Sequence, residues 1–261
     1  MVVARIKEVK SRVRLLLSAK EVPSKFQTGD PEEGYQRFYH VHIPKTGGTS
    51  LNYMFLALTG EDPAELYQSL CAAPSHRLTR NGMTYQGWNK RLINRGDYFY
   101  AFSHIPRYRL NLPRATFTFS CFRDPVKRVL SRYRELMSYR KDNVNHPSMA
   151  REGKWLGRDF DHYLKKIPKT DLVNQLFMFS ARFDLDEACF RASQLSHYFF
   201  GDSFDDGVAG LNAKSGLSLA PIHVRSSEYE ETIADATMAK LRTMLDEEYR
   251  FLDRLRRERP T

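Results

Sequence analysis

The sequence predicts a three-layer α/β fold in which a central, mainly parallel sheet is covered by helices on both faces. Short runs of aromatic and β-branched residues alternate with longer segments in which apolar residues recur every three or four positions. Strands that are buried on both faces and separated by helices are typical of parallel sheets. The predicted strands are residues 38–43, 98–102, 115–121 and 197–201.

The chain divides into a basic N-terminal segment, residues 1–36, and one large domain, residues 37–261. Residues 5–20 place isoleucine, valine and leucine on one face of a basic helix, whereas the prolines and glycines of residues 21–36 are typical of a linker. The helix has two interpretations: it packs on the domain, or it makes peripheral contact with an anionic membrane.

Helices fill most of the remaining chain. A helix is predicted directly after the first strand, and a long amphipathic helix is predicted near the C-terminus. Residues 140–157 and 212–227 are polar and contain proline or glycine, which predicts loops. The predicted helices are residues 51–58, 63–71, 87–94, 158–166, 170–181, 185–195 and 228–257, with a further helix that begins at residue 125.

The loop between the first strand and its helix, residues 44–50 (P-K-T-G-G-T-S), is the main candidate for chemistry. Gly47 and Gly48 allow a tight bend that turns backbone N–H groups inward, and the following helix points its positive end at the same place. Lys45 adds a full positive charge. These features predict a phosphate or sulfate site, with an ordinary glycine turn as the alternative. Hydroxyl donors in the same loop are Thr46, Thr49 and Ser50.

A second candidate lies where the third strand runs into a helix. Asp124 is a favoured N-cap residue, and Pro125 suits the first helical position. Arg123 precedes this cap and Ser131 follows in the helix. Because an arginine can bind a phosphate through two parallel hydrogen bonds, the segment predicts a second anion site. The alternative is a capped helix with a surface arginine.

His104 is the third candidate, because it directly follows the second strand. A neutral imidazole can accept the proton of an attacking hydroxyl group. Ligands of parallel sheets collect at the carboxyl ends of the strands, so His104, residues 44–50 and Arg123 are expected to meet there. His40 and His42 share one face of the first strand and are expected to be core or sheet residues.

The three motifs together resemble one enzyme family. The strings P-K-T-G-G-T-S, R-D-P-x-x-R-x-x-S and S-H-I-P are similar to those of the sulfotransferases that use PAPS (3′-phosphoadenosine 5′-phosphosulfate). The sequence resembles most the carbohydrate O-sulfotransferases of the heparan sulfate 2-O and 6-O type and their bacterial relatives. The resemblance spans residues 38–255 and implies a P-loop-like fold. In the loop of nucleoside triphosphatases, by contrast, the lysine follows the second glycine.

The resemblance also implies roles for individual residues. Lys45 would bind the 5′-phosphosulfate and stabilise the leaving phosphate oxygen, and His104 would be the general base. Arg123 would hold the 3′-phosphate, while Arg225 and Ser226 lie where relatives have a loop that closes over the nucleotide. The product would be PAP, the 3′,5′-bisphosphate, and no metal is implied. The implied donor-binding residues are Lys45, Thr46, Gly47, Gly48, Thr49, Ser50, Arg123, Ser131, Arg225 and Ser226.

The formal net charge of +10 predicts an anionic partner. No helix-turn-helix, zinc or RNA-binding signature is present, so nucleic acid is not the expected partner. A carbohydrate or glycolipid acceptor, acidic or neutral, follows from the resemblance, although small alcohols or phenols could use the same chemistry. Trp88 and Trp155 are candidates for stacking on a sugar. One set of basic residues forms either an acidic-glycan groove or a solvated surface: Arg77, Arg80, Lys90, Arg91, Arg107, Arg109, Arg140, Lys141 and Arg151.

Two other functions remain open. A P-loop kinase is one, although the position of the lysine and the lack of an evident magnesium-binding aspartate after a strand argue against it. A non-catalytic protein that binds PAP or another anion is the other. The three cysteines have neither disulfide nor zinc spacing, and no N-terminal anchor is evident. A bacterial, cytoplasmic enzyme is therefore expected, with the Golgi lumen as the alternative if an anchor has been removed.

Overall fold

The computed structural model describes residues 34–224 and 232–258. These residues form the predicted α/β fold, in which a six-stranded sheet carries helices on both faces. Each of the predicted strands is present, and two further strands extend the sheet at one edge. The strands are β1 (Arg37–Val41), β2 (Arg77–Arg80), β3 (Met83–Gly87), β4 (Tyr100–Ser103), β5 (Thr116–Phe122) and β6 (His197–Phe200).

Strand β1 lies at the centre of the sheet, whose order is β2-β3-β4-β1-β5-β6. It pairs in parallel with β4 on one side and with β5 on the other, and β3 and β6 continue the parallel arrangement outward. The carboxyl ends of β1, β4 and β5 therefore lie side by side. This places residues 44–50, His104 and Arg123 at one edge of the sheet, as the sequence predicts.

The hairpin of β2 and β3 is absent from the sequence-based prediction, which has only short helices between residues 60 and 96. The two strands pair in an antiparallel register around Asn81 and Gly82. Both turn residues have positive φ, 48° and 76°, as a two-residue type I′ turn requires. The Asn-Gly pair was thus the sequence signal for this hairpin.

Helices account for most of the other described residues. Nearly every predicted helix has a counterpart, with shifts of a few residues at the ends. The helices are α1 (Gly48–Ala57), α2 (Pro63–Ala72), α3 (Lys90–Arg95), α4 (Pro125–Lys141), α5 (Pro147–Glu152), α6 (Phe160–Lys166), α7 (Lys169–Leu172), α8 (Asn174–Phe177), α9 (Leu185–Ser193), α10 (Phe204–Ser215), α11 (Asp235–Met244) and α12 (Asp246–Glu258).

Four predicted segments differ from the structure. The expected loop at 140–157 contains α5, and the single helix expected at 170–181 is broken at Val173 into α7 and α8. The C-terminal helix is likewise divided into α11 and α12 at Leu245. Helix α10 occupies the start of the loop expected at 212–227 and extends well before it.

Helix α10 was not predicted because it contains glycines, which are unfavourable in helices. One of these glycines has a packing role. A Cβ atom at Gly207 would lie 2.1 Å from Cδ2 of Phe199 on β6. The helix can therefore approach the sheet this closely only with glycine at that position, even though glycine weakens a helix. In addition, the ring Nε2 of His197 donates to the carbonyl of Gly207 at 2.9 Å.

The core has one layer on each face of the sheet. Phe38 of β1 packs with α1, α2 and α10, whereas its neighbour Tyr39 packs with α9 and α12 on the opposite face. His40 lies in β1 and His42 directly follows it; both are buried, in agreement with the expectation that they are core or sheet residues. Among the described residues, we find no helix with the length and apolarity needed to cross a bilayer. The predicted helix at 5–20 lies outside the described residues.

A buried ion pair links the C-terminal helix to the candidate site. Arg128 and Glu248 are 2% and 0% exposed, and Arg128 Nη2 lies 3.3 Å from Glu248 Oε2. Glu248 Oε1 also accepts the backbone N–H of Gln175 at 2.9 Å. The side chain of Gln175 in turn bonds the backbone N–H and carbonyl of Arg123 at 2.8 and 2.9 Å. The pair thus fixes the backbone that carries Arg123.

We expect Arg128→Leu to lower the free energy of unfolding by about 3–5 kcal/mol, because the carboxylate of Glu248 would remain buried without its charge partner. Urea denaturation measures this loss. As a control, Lys165→Ala removes an exposed ion pair with Asp161 and should leave the free energy of unfolding nearly unchanged. Equal losses in the two variants would contradict the structural role of the Arg128–Glu248 pair.

Candidate functional site

The loop that follows β1 bends through two residues with left-handed backbone conformation. Lys45 has φ 69° and Gly47 has φ 96°, and α1 begins at Gly48. Residues other than glycine seldom adopt a positive φ, and those that do, such as Lys45, often lie at functional sites. The loop therefore places the first N–H groups of α1 and the lysine side chain at the same edge of the sheet.

Gly48 is required because the side chain of His42 occupies the space beside it. A Cβ atom at Gly48 would lie 1.9 Å from Nε2 of His42. His42 is 5% exposed and lies in the strand-to-loop connection, so neither group can easily move away. The steric restriction at Gly47 is weaker, since its Cβ would lie 3.2 Å from the ring of Phe204 on α10, but its φ of 96° also favours glycine.

Gly48→Ala is expected to lower the free energy of unfolding by about 1–3 kcal/mol, as overpacking in a rigid interior does. The added methyl group would also push His42 and the start of α1 apart, which should weaken anion binding. Thermal denaturation and a phosphate-binding assay measure the two effects. Gly87→Ala is the matched control, because its Cβ would meet the nearest side-chain atoms at an ordinary 3.5 Å. The steric account is wrong if both variants are equally stable.

The hydroxyl groups of the loop differ in their hydrogen bonds. Thr46 Oγ1 is buried and donates to the carbonyl of Ile43 at 2.9 Å, so it holds the loop closed. Ser50 Oγ accepts the backbone N–H of Val224 at 3.0 Å, which leaves its own hydroxyl proton for another acceptor. Thr49 is half-buried in the first turn of α1.

Arg123 lies against the loop, as the sequence predicts. Its Nη1 donates to the carbonyl of Lys45 at 3.1 Å, although the two residues are 78 positions apart. Asp124 caps α4 through the backbone N–H of Lys127 at 2.8 Å, also as predicted. Ser131 is half-buried on α4, about two turns further along. The two predicted anion sites are thus adjacent.

Lys45 has a charge partner that the sequence analysis missed. Its Nζ donates to Oε1 of Glu135 on α4 at 2.7 Å, and the two side chains are only 11% and 15% exposed. Burial lowers the pKa of Lys45, and Glu135 opposes that effect. Burial alone would raise the pKa of Glu135, but the charges of Lys45 and Arg132 outweigh it and lower the pKa. Glu135 is therefore ionised at neutral pH, and its carboxylate favours the ammonium form of Lys45.

Arg132 extends this pair into a network with α5. Arg132 donates to Glu135 one turn away on α4, and its Nε donates to Glu152 Oε2 at 2.6 Å. Its Nη2 also bonds Ser148 Oγ at 3.0 Å. Glu152 and Ser148 are buried even though α5 is short, because Arg132 binds both of them.

His104 lies at the end of β4 with one ring nitrogen fixed. Its Nδ1–H donates to the carbonyl oxygen of His42 at 2.7 Å, and this bond leaves Nε2 unprotonated in the neutral ring. The side chain stays accessible to solvent. Desolvation by the surrounding protein lowers the pKa of His104, and the charges of Arg132 and Arg151 act in the same direction. His104 is therefore a neutral proton acceptor at physiological pH.

The two tryptophans have different environments. Trp88 is half-buried, and its ring centroid lies 6.4 Å from that of His104. Trp155 is buried in the apolar cluster of α4, α6 and α11. Trp88 therefore lies beside the candidate base, whereas Trp155 is a core residue.

The basic residues that were predicted to form either a glycan groove or a solvated surface contact different parts of the protein. Arg151 acts electrostatically on His104, as described above, whereas Arg77 donates to the carbonyl of Asp97 and Arg140 to that of Gly157. Arg225 and Ser226 lie outside the described residues. Within the part of the chain that the structure describes, no group of three or more His, Cys, Asp or Glu side chains is placed to hold a metal ion.

A cleft of about 350 Å³ opens next to the loop, beyond the end of β6. Phe204 contributes to it and also contacts Gly47. His223 also lines it, with its ring centroid 5.5 Å from that of Phe204 and its Nε2 3.0 Å from Asp205. The residues that line the cleft are Gly201, Asp202, Ser203, Phe204, Asp205, Asp206 and His223.

A family profile and a solved structure are similar to this chain. The profile described as "Sulfotransferase family" matches residues 33–173. No curated protein matches the chain. Among solved structures, the mouse sulfotransferase SULT7A1 complexed with PAP is similar at 14% sequence identity and a TM-score of 0.39, over 88% of this chain and 71% of that one. Because the family profile covers more than half of the 261 residues, the protein belongs to the sulfotransferase family.

Proposed function

We propose that the protein transfers a sulfuryl group from PAPS to a hydroxyl group of a carbohydrate or glycolipid acceptor and releases PAP. The observation that carries this proposal is the contact of Arg123 with the carbonyl of Lys45, which brings the two anion-binding motifs together. A donor with a 3′-phosphate and a 5′-phosphosulfate needs two such sites in one place.

The donor would span the loop and the adjacent cleft. Lys45 and the N–H groups at the start of α1 suit the phosphosulfate, and Arg123 with Ser131 suits the 3′-phosphate. The cleft beside Phe204 carries several aspartates, which repel phosphate but accept hydrogen bonds from a ribose hydroxyl or a purine amino group. The nucleoside therefore fits the cleft better than a phosphate group does.

The chemistry requires one proton transfer and one displacement. As the acceptor oxygen forms its bond to sulfur, its proton passes to Nε2 of His104, since Nδ1 already carries a proton. The bond between sulfur and the bridging phosphate oxygen breaks, and its electron pair remains on that oxygen of PAP. Lys45 lies where its ammonium group can stabilise this developing charge.

The acceptor is assigned from the motif resemblance and from the surroundings of His104. The resemblance to heparan sulfate 2-O and 6-O enzymes favours a polysaccharide or oligosaccharide. Trp88 supplies an aromatic surface near the base, and the charge of Arg151 faces the same region. A sugar that carries an acidic group would use both.

Incubation with ³⁵S-labelled PAPS and a panel of acceptors tests the proposal. The panel should contain neutral glycans, uronate-containing glycans, glycolipids and simple phenols. We expect label in a carbohydrate and equimolar release of PAP. Phosphate transfer from ATP in the presence of magnesium would instead favour a kinase. PAP binding with no transfer to any acceptor would favour a non-catalytic binding protein.

A further inference from the structure

The contact between Lys45 and Glu135 is unusual for an anion-binding loop. The carboxylate of Glu135 lies 2.7 Å from the ammonium group of Lys45, the group proposed to bind an anionic donor, and both side chains are largely buried. A buried ion pair is weak evidence for stability by itself, because desolvation offsets most of the attraction. The position of Glu135 therefore suggests a role in the site.

Glu135 is held from the side opposite to Lys45. Arg132 bonds its second carboxylate oxygen and is itself fixed to Glu152 and Ser148 of α5. The carboxylate therefore cannot turn to follow a mobile lysine. Lys45 is the flexible member of the pair and is oriented by the fixed one.

The other charges that face Lys45 are positive or neutral. Arg132 on α4 and Arg123 at the end of β5 both lower its pKa, in addition to burial. His42 at the end of β1 is buried and its pKa is lowered well below the usual value, so it is neutral. His146 and Tyr139 interact electrostatically with Glu135. Of these groups, Glu135 is the carboxylate that favours the ammonium form.

We propose that Glu135 is a positioning residue for Lys45 in the sulfuryl-transfer site, an inference that rests on the function proposed above. An ammonium group has three N–H donors. One of them donates to Glu135. The two remaining N–H groups are oriented by this bond and are available to the phosphosulfate. The carboxylate also keeps Lys45 charged in a place where burial and two guanidinium groups favour the neutral amine.

Glu135→Gln tests this proposal with a readout that is independent of activity. Competitive acetylation of the Lys45 amine, followed by mass spectrometry over a range of pH, reports when that amine loses its proton. In the variant we expect the labelling curve to move to lower pH. We also expect the ratio of kcat/KM for PAPS at about pH 9 to that at about pH 7 to fall, because the variant would lose the ammonium form of Lys45 at a lower pH than the unaltered protein does.

Glu152→Gln is the matched control, because Glu152 contacts Arg132 but not Lys45. Its Lys45 labelling curve should stay in place. Glu135→Asp keeps the charge but shortens the side chain, so it should keep the labelling curve and lower kcat. It also covers the case in which the glutamine variant fails to fold.

An unchanged labelling curve in Glu135→Gln, or an unchanged kcat in Glu135→Asp, would overturn the positioning role. Failure of the underlying function has a different signature. If Lys45→Ala bound PAP and turned over PAPS like the unaltered protein, Lys45 would not be part of a donor site, whatever the labelling curves show.

Discussion

Replacement of His104 by alanine is expected to lower kcat for sulfuryl transfer by about 10²–10⁴-fold, the usual contribution of a general base. Affinity for PAP should hardly change, because the ring contacts the carbonyl of His42 and not the predicted phosphate sites. Steady-state kinetics with PAPS, together with calorimetric titration of PAP, separate the two effects.

His162→Ala provides a control on α6, away from the end of β4. It should retain full activity. A His104→Ala enzyme that keeps its kcat would show that another group accepts the proton. Loss of PAP binding together with activity would instead assign His104 a structural role, because its bond to His42 supports the loop.

The pH profile adds a second check on the same base. Because the pKa of His104 is lowered, the ring stays unprotonated below the ordinary histidine value of about 6.5. Activity should therefore persist on the acid side of that value and fall only when His104 gains its proton. An acid limb well above pH 6.5 would contradict the environment described for this ring.

Arg123→Ala is expected to weaken PAP binding by about 10–100-fold, since hydrogen bonds to a charged group contribute about 1.5–3 kcal/mol. Two effects add in this variant. The 3′-phosphate loses its guanidinium, and the carbonyl of Lys45 loses the donor that fixes the loop. Calorimetry with PAP and with AMP distinguishes them, because only the first depends on a 3′-phosphate.

Arg158→Ala is the control for charge alone, since Arg158 is exposed and forms its ion pair with the neighbouring Asp159. It should bind PAP like the unaltered protein. Arg123→Lys should recover little of the loss, because an ammonium group cannot reproduce the two parallel hydrogen bonds of a guanidinium. Undiminished PAP affinity in Arg123→Ala would remove this residue from the donor site.

The main parts of the site could be predicted because each is local in sequence. Gly47 and Gly48 follow a strand, Asp124 caps a helix, and His104 ends a strand. The rule that parallel strands present their carboxyl ends together then brings them to one edge. The contact of Arg123 with Lys45 confirms this expectation over 78 positions.

Glu135 could not be found in the same way. It lies in the middle of α4, 90 positions from Lys45. A glutamate at such a position is equally typical of a helix face exposed to solvent and of a buried ion pair. Helix α5, within residues 140–157, could not be predicted for the same reason. Its polar composition predicts a loop, but Arg132 binds Ser148 and Glu152 and holds α5 in place. Both features depend on tertiary contacts that no local pattern encodes.

The most direct test of the account is calorimetric titration of the purified protein with PAP, AMP and ATP in the absence of magnesium. The two adjacent anion sites predict that PAP binds at least about tenfold more tightly than AMP, because only PAP offers a 3′-phosphate to Arg123. ATP should bind more weakly than PAP. Equal affinity for PAP and AMP, or tighter binding of ATP, would contradict a donor site for PAPS.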